Sequence, residues 1–396
     1  MDELGLVVLD EAHMIGDSDR GYAIELLVMK LLMLSKRAAR AARQAHNAAA
    51  EPRAGADSGG GGPAYGTQLV LMSATMPNVS ELAAWTGAAA YTAPRQQRPV
   101  PLTEYVLLGG GALWRFDPQR AALVPHAESE LGLGEPGLGA PGAPAKGRMA
   151  ARINALCVHC VRKGANALVF CASRARADEL AVEVSLALQA AGAGTRAEVV
   201  SQRRDLVREL RRVAGGLAGT PAEGAIMRGV CAHHAGLLVE ERELVGQAYS
   251  RGALLVLCCT TTLAAGVNLP AARVVIEPQG GRCPTLNDYR QQSGRAGRGG
   301  QLATWGDAVL LLEGDGERRR AEEVLRAPAE RVVSCLGEGN PEVVRRFVID
   351  AVGSGLGASP ELLHECVACT LARAQATDRA ARERLDAAVA AALRGA

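Results

Sequence analysis

Short apolar runs alternate with amphipathic stretches over the first three hundred residues. Leu6-Val7-Val8-Leu9 is apolar at consecutive positions. Such a run suits both faces of a sheet and predicts a central parallel strand. A helical pattern covers residues 21–42, residues 68–72 read as a second strand, and residues 77–85 open another helix. Residues 167–171 predict a strand and residues 176–189 a helix. Further strands are expected at 229–232, 254–259, 274–277 and 308–312. Residues 201–213 form an amphipathic helix, with Leu206, Leu210 and Val213 opposite Arg203, Arg204, Arg208, Arg211 and Arg212. That arginine row is therefore expected on a solvated face, with a strand or partner contact as the sharper alternative. Strands alternating with helices predict doubly wound α/β architecture. After residue 326 the strand pattern stops, and residues 342–352 and 360–374 read as helices. Ser359 and Pro360 fit the cap and first position of the second of these.

Composition divides the pattern into pieces. Residues 48–66 and 128–147 are rich in Ala, Gly and Pro and read as a mobile loop and an insertion. The expected divisions are 1–95, 96–150 as linker and insertion, 151–325, 326–374, and an Ala/Arg-rich tail at 375–396. An apolar fraction of 48% excludes a wholly disordered chain. A net charge of +2 excludes a polycationic binder but not a local basic groove. Aromatic residues make up only 3%, too few for a broad base-stacking platform. No apolar run approaches the roughly 18 residues of a membrane span. Cys157-x-x-Cys160 with His159, and Cys366-x-x-Cys369 with His364, have the spacing of zinc ligands. Both pairs sit in helical patterns, and cysteine also packs as a small hydrophobe. Reduced core thiols are the favoured reading and suit an intracellular protein.

Four segments carry chemistry. Asp10-Glu11-Ala12-His13 follows the first predicted strand. In an open α/β sheet that end faces the ligand crevice. Two adjacent carboxylates there can divide labour: Asp10 holds Mg²⁺ through water and Glu11 deprotonates an attacking water. The bland alternative is a solvated acidic loop. Ser73-Ala74-Thr75 follows the second strand and gains meaning only from that position. Thr260-Thr261-Thr262, continuing to Gly266-Val267-Asn268-Leu269-Pro270, offers small and hydroxyl side chains that admit phosphate or ribose to the backbone. Gln291-Gln292-Ser293-Gly294-Arg295-Ala296-Gly297-Arg298 sets two arginines three apart among small residues. Guanidinium groups suit the charge that develops in phosphoryl transfer.

In this order and at these spacings, the four segments resemble motifs II, III, V and VI of superfamily 2 helicases. Gly16-Asp17-Ser18-Asp19-Arg20-Gly21-Tyr22, His233-His234-Ala235-Gly236-Leu237, Gly280-Gly281-Arg282 and Ser334-Cys335-Leu336 are similar to the large-helicase branch that includes the polymerase theta helicase region. The resemblance implies tandem RecA-like sheets, the first truncated, followed by a small winged-helix domain. It implies ATP and Mg²⁺ as cofactors, DNA as partner with RNA as the alternative, 3′ to 5′ movement, a nuclear location and a role in end-joining repair. Residue by residue, Asp10 and Glu11 become the metal and water carboxylates, and His13, Ser73 and Thr75 couple hydrolysis to movement. Gly266 and Asn268 approach the nucleotide or strand, and Thr260, Thr261 and Thr262 touch backbone phosphates. Gln291 senses the γ-phosphate, and Arg295 and Arg298 act as arginine fingers.

One family element has no counterpart here. A P-loop needs Gly-Lys-Ser/Thr, whereas the lysines are Lys30, Lys36, Lys146 and Lys163, and none follows glycine. The chain therefore reads as an incomplete helicase that does not turn over ATP alone. A non-catalytic fragment that binds nucleic acid or a partner protein is the alternative from another class.

Overall fold

The computed structural model describes residues 4–17, 20–49, 67–73, 76–92, 98–133, 145–194, 197–213, 217, 219–260, 269–278, 280, 282–297, 304–314, 316–328, 330–337 and 340–394. The elements begin with β1 (Leu6–Leu9), a 3₁₀ turn (Ala12–Gly16), α1 (Gly21–Ala49), β2 (Gln68–Leu71) and α2 (Val79–Thr86). Next come β3 (Leu102–Leu108), β4 (Leu113–Asp117), β5 (Ala122–His126), α3 (Ala145–Arg162), β6 (Ala167–Phe170) and α4 (Arg174–Ala190). They are followed by α5 (Ala197–Val213), α6 (Pro221–Met227), β7 (Val230–His233), α7 (Val239–Ser250), β8 (Val256–Cys259) and β9 (Arg273–Ile276). The remainder is α8 (Leu286–Ser293), β10 (Gly306–Leu312), α9 (Glu317–Arg326), α10 (Pro341–Gly353), α11 (Pro360–Ala368), α12 (Leu371–Gln375) and α13 (Arg379–Arg394). These elements form two compact units, one from Met1–Thr92 with Pro328–Ala396 and one from Ala93–Ala327.

In the first unit β1 and β2 pair in parallel, Leu6 opposite Gln68 and Leu9 opposite Leu71. Among the described residues this sheet has two strands. Leu9 and Leu71 pack against Ile15, Leu82, Val332 and Leu371. Leu6 and Val8 remain 52% and 50% exposed, so β1 is not the strand buried on both faces that its composition predicts. An apolar run permits two-sided burial, but only packed neighbours produce it. Helix α1 presents Tyr22, Met29 and Met33 to Phe347, Val348, Leu363 and Val367 of the C-terminal helices. Its helical pattern continues past the expected end to Ala49. The helix expected at 360–374 breaks at Cys369-Thr370, where the Thr370 side chain caps α12 by accepting from Arg373 N. Ser359 caps α11 in the same way, through Leu362 N, with Pro360 in the first turn. The Ala/Arg-rich tail is largely helix α13, which buries Val389 and Ala392.

The second unit holds an eight-stranded sheet in the order β5-β4-β3-β10-β9-β6-β8-β7. Alternate strand residues enter two separate cores. Leu168, Phe170, Leu257, Val274 and Leu310 meet Leu206, Leu210, Tyr249 and Tyr289 on one face. Val169, Val230, Val256, Val275 and Val309 meet Leu156, Leu180 and Val184 on the other. This two-sided burial is the doubly wound arrangement expected of parallel strands joined by helices. Cys157 and Cys160 lie fully buried in the second of these cores, where burial pushes the Cys160 thiol up to about 12. Among the described residues no group of three or more His, Cys, Asp or Glu is placed to hold a metal.

Two expectations change here. Residues 102–126, expected within a linker, form β3, β4 and β5 at one side of the sheet. Strand β3 runs parallel to β10 over seven pairs and turns back into antiparallel β4 across Gly109-Gly110-Gly111. Arg203 belongs to the buried side of α5, not to its solvated row. It is 1% exposed and donates to the carbonyls of Ala253, Met227 and Gly194 at 2.7, 3.2 and 3.1 Å. Three carbonyl acceptors replace the water that a guanidinium loses on burial.

Candidate functional site

The first candidate constellation stands where β1 ends. Asp10 is exposed, and its Oδ1 accepts the Glu11 amide at 2.8 Å. Glu11 adopts the left-handed conformation at φ 52°, an uncommon state for a residue with a side chain. That kink starts the 3₁₀ turn, and Ala12 N donates to Met72 O at 2.8 Å just beyond β2. The turn is thereby fastened to the end of the neighbouring strand. His13 Nδ1 lies 3.2 Å from Ser73 Oγ and 3.3 Å from Glu11 Oε2. Glu11 and His13 thus stand beside Ser73, which follows His13 by 60 residues in the sequence. A carboxylate beside an imidazole that reaches a hydroxyl can accept a proton and register a shift of the adjoining strand.

The second unit places Thr260, His234 and Glu277 at the carboxyl ends of parallel strands β8, β7 and β9. Thr260 follows β8 and is half-buried. His234 follows β7, with Nε2 3.1 Å from Asp178 Oδ1 and Nδ1 accepting Gly236 N at 3.1 Å. Its neighbour His233 is 4% exposed, and burial lowers its pKa to about 4. Glu277 follows β9 and takes Arg176 Nε at 2.9 Å. Gln291 is half-buried in the last turns of α8, and Arg295 is 5% exposed in the turn that follows. Backbone bonds hold this turn against the segment before β9, from Ala271 N to Arg295 O at 3.1 Å and from Gly297 N to Ala271 O at 2.7 Å. Gly297 has φ +60°, and a Cβ on Gly306 would stand 2.7 Å from Gly297 Cα. Neither position admits a side chain without moving backbone.

Comparison with known proteins gives these positions a context. Residues 186–300 match the helicase conserved C-terminal domain, and residues 306–394 match a helix-turn-helix domain. DNA polymerase theta of Drosophila melanogaster is 30% identical over 390 residues, covering 95% of this chain and 17% of that protein. The ATP-dependent DNA helicase Hel308 of Pyrobaculum calidifontis is 35% identical over 383 residues, covering 94% of this chain and 45% of that protein. The human helicase POLQ-like protein is 29% identical over 360 residues, covering 89% and 28%. The chain belongs to the superfamily 2 helicases of the polymerase theta type. It spans less than half the length of these relatives.

Within this helicase region, Asp10, Glu11, His13 and Ser73 share one unit, and Thr260, Gln291 and Arg295 share the other. Thr75, Thr261, Thr262, Gly266, Asn268 and Arg298 lie outside the described residues. Three supporting residues escaped motif reading. Arg98 Nη2 donates to the carbonyls of Gly294 and Ala296 and so braces the Arg295 turn. Arg176 and Glu277 fasten α4 to the end of β9. Arg273, wholly buried, pairs with Asp307 at 2.8 Å and reaches Leu156 O at 3.0 Å. Each lies outside the motif strings, and single charges in apolar surroundings give no periodic signal.

Proposed function

We propose that this chain is the motor region of an ATP-dependent DNA helicase or translocase that acts in the nucleus in double-strand-break repair. The observation that carries the reading is the His13–Ser73 contact, which links the Asp10–Glu11 strand end to the end of the neighbouring strand. The similarity to Hel308 and polymerase theta supports DNA over RNA.

The acidic half of a nucleotide site fits these residues. Asp10 is exposed at a strand end, as a ligand to water-bound Mg²⁺ must be. Glu11 sits next to it on a kinked backbone that turns its side chain toward His13. The phosphate cradle does not fit, because no Gly-Lys-Ser/Thr occurs in the 396 residues. MgATP, when bound, supplies the phosphoanhydride whose hydrolysis drives movement. Glu11 orients the attacking water and takes its proton. His13 follows the state of Glu11 and passes it to Ser73. In the second unit, Arg295, with Gln291 one turn before it and Arg298 beyond, would offer guanidinium charge to a phosphate group. Thr260 and its two neighbours hold strand phosphates.

ATP hydrolysis with and without single-stranded DNA tests the reading. The 396-residue chain is expected to show no turnover. The same chain fused behind the P-loop segment of Hel308 is expected to hydrolyse ATP in a DNA-stimulated manner. Glu11→Gln in that fusion should lower the rate about 10²–10⁴-fold, the usual contribution of a general base. Turnover by the unfused chain would overturn the cradle argument. A folded fusion without turnover would overturn the motor reading, and stimulation by RNA alone would reassign the substrate.

A further inference from the structure

The C-terminal helices touch the Asp10–His13 turn through a short strap, residues 331–336. Val332 packs with Ile15 of the turn and with Leu82 and Leu371. Cys335 Sγ reaches Asp17 O at 3.3 Å and Ile15 O at 3.6 Å. A Cβ on Gly16 would sit 3.5 Å from Val333 N, so strap and turn are in van der Waals contact along their backbones. A side chain on Gly21, where α1 begins, would collide with Ile15 O and with Cys335 Sγ. The turn is therefore enclosed by the start of α1 on one side and the strap on the other.

One buried carboxylate ties this arrangement together. Glu25, one turn into α1, is 0% exposed. Its Oε2 accepts Ser334 Oγ at 2.6 Å, and its Oε1 accepts Leu371 N at 2.8 Å and Ala372 N at 3.2 Å. Ser334 Oγ in turn accepts Leu336 N at 3.0 Å. Gln375 of α12 completes the strap by accepting Ser334 N at 2.9 Å and donating to Val332 O at 2.8 Å. Burial raises the carboxyl pKa of Glu25, and these three donors oppose the rise. A buried carboxylate whose named partners are a hydroxyl and two backbone amides is poor cement compared with an apolar side chain of equal size. Its value lies in geometry, because three donors from two segments fix its position to within a hydrogen bond.

We propose that Glu25 is a positioning residue that couples the C-terminal helices to the Asp10–His13 turn through Ser334 and the 331–336 strap. Its consequence for hydrolysis rests on the reading of Glu11 and His13 given above. The coupling itself does not. Displacement of the C-terminal helices would pull the strap, and the strap would shift Ile15 and with it the His13–Ser73 bond. Exposed bonds between α1 and the same helices, such as Arg40 to Glu365 at 2.7 Å, lie at the far side of the contact and lack this route.

Hydrogen–deuterium exchange of the 396-residue chain tests the coupling, with Glu25→Gln, Ser334→Ala and Glu365→Gln compared against the parent. Glu25→Gln and Ser334→Ala should each speed exchange of the amides in residues 12–17 about tenfold, the scale of one lost hydrogen bond to a charged group. Glu365→Gln should leave those amides within about twofold. The His13 ring ¹⁵N shift, which reports the contact with Ser73, should move in the first two variants and not in the third. Loosening of residues 332–336 and 371–373 with residues 12–17 still protected would overturn the proposal and leave Glu25 an anchor of the C-terminal helices only. Should Glu25→Gln fail to fold, Ser334→Ala removes only the two bonds of one hydroxyl, to Glu25 and from Leu336 N, and decides the matter. In the P-loop fusion, a loosened turn with unchanged ATP turnover would keep the coupling and refute its consequence for hydrolysis.

Discussion

A guanidinium that hydropathy assigns to the surface is among the largest wholly buried side chains of the second unit. Arg203, Leu206 and Leu210 follow an i, i+3, i+7 spacing, so they share one face of α5. The composition of the arginine row hid that spacing. Arg203→Ala strands three carbonyls and should cost about 2–4 kcal/mol, read as a lower midpoint in urea. The equivalent change at exposed Arg208 should be nearly silent. Gly306→Ala drives a methyl into the backbone of Gly297 and should cost about 1–3 kcal/mol. It should also displace the Arg295 turn, which a changed protease-cleavage pattern around residues 294–297 would show. An unchanged melting temperature for Gly306→Ala would mean that the two backbones are farther apart than described. The candidate residues Asp10, Glu11, His13 and Arg295 stand out in the sequence because they occur in ordered strings. Arg98, Arg176 and Arg273 do not stand out, because a bond formed across many residues of chain leaves no local pattern.

At the scale of elements, the helix start at Ser359-Pro360 was legible from its cap, whereas the start capped by Thr370 lay hidden inside the helix expected at 360–374. Ser359 and Thr370 both accept the amide three residues on. Thr370 is 2% exposed, and its hydroxyl also donates to Val367 O at 2.7 Å. Thr370→Ala should therefore cost about 1–2 kcal/mol in the first unit. Circular dichroism on heating would register the loss, and Thr370→Ser should restore most of it. The strands at 102–126 were the main element missed. Their alternation is plain in hindsight: Val106 and Leu108 enter one core, and Tyr105 and Leu107 the other. The Gly-rich turn between β3 and β4, and the Gly/Pro-rich stretch after β5, made the region resemble a linker by composition. Periodicity was the better guide. Strand β1 shows the reverse error, since four consecutive apolar residues say nothing about how many neighbours cover them.

At the scale of the molecule, acid should weaken the second unit before its carboxylates are titrated. Folded His233 stays neutral down to about pH 4, whereas an unfolded histidine takes up its proton near 6.5. The unfolded chain therefore binds more protons between those values, and folding stability falls as pH falls through that window. The slope from this one residue approaches about 1.4 kcal/mol per pH unit. Urea midpoints at pH 7 and pH 5 should differ more for the parent than for His233→Gln. Equal slopes would show that His233 protonates in the folded state without penalty.

The pairing of β3 with β10 also has a consequence in time. Leu102 lies opposite Gly306, about two hundred residues later in the chain. A ribosome releases β3 long before its partner exists, so this seven-residue strand waits with one edge unpaired while the intervening strands are made. Alternating apolar side chains on an open strand edge invite pairing with other chains. The second unit cannot complete its sheet until residue 312 has left the exit tunnel, and such non-local closure is slow. Nascent chains arrested before residue 300 should hold chaperones tightly at residues 102–117. Chains released after residue 330 should shed them.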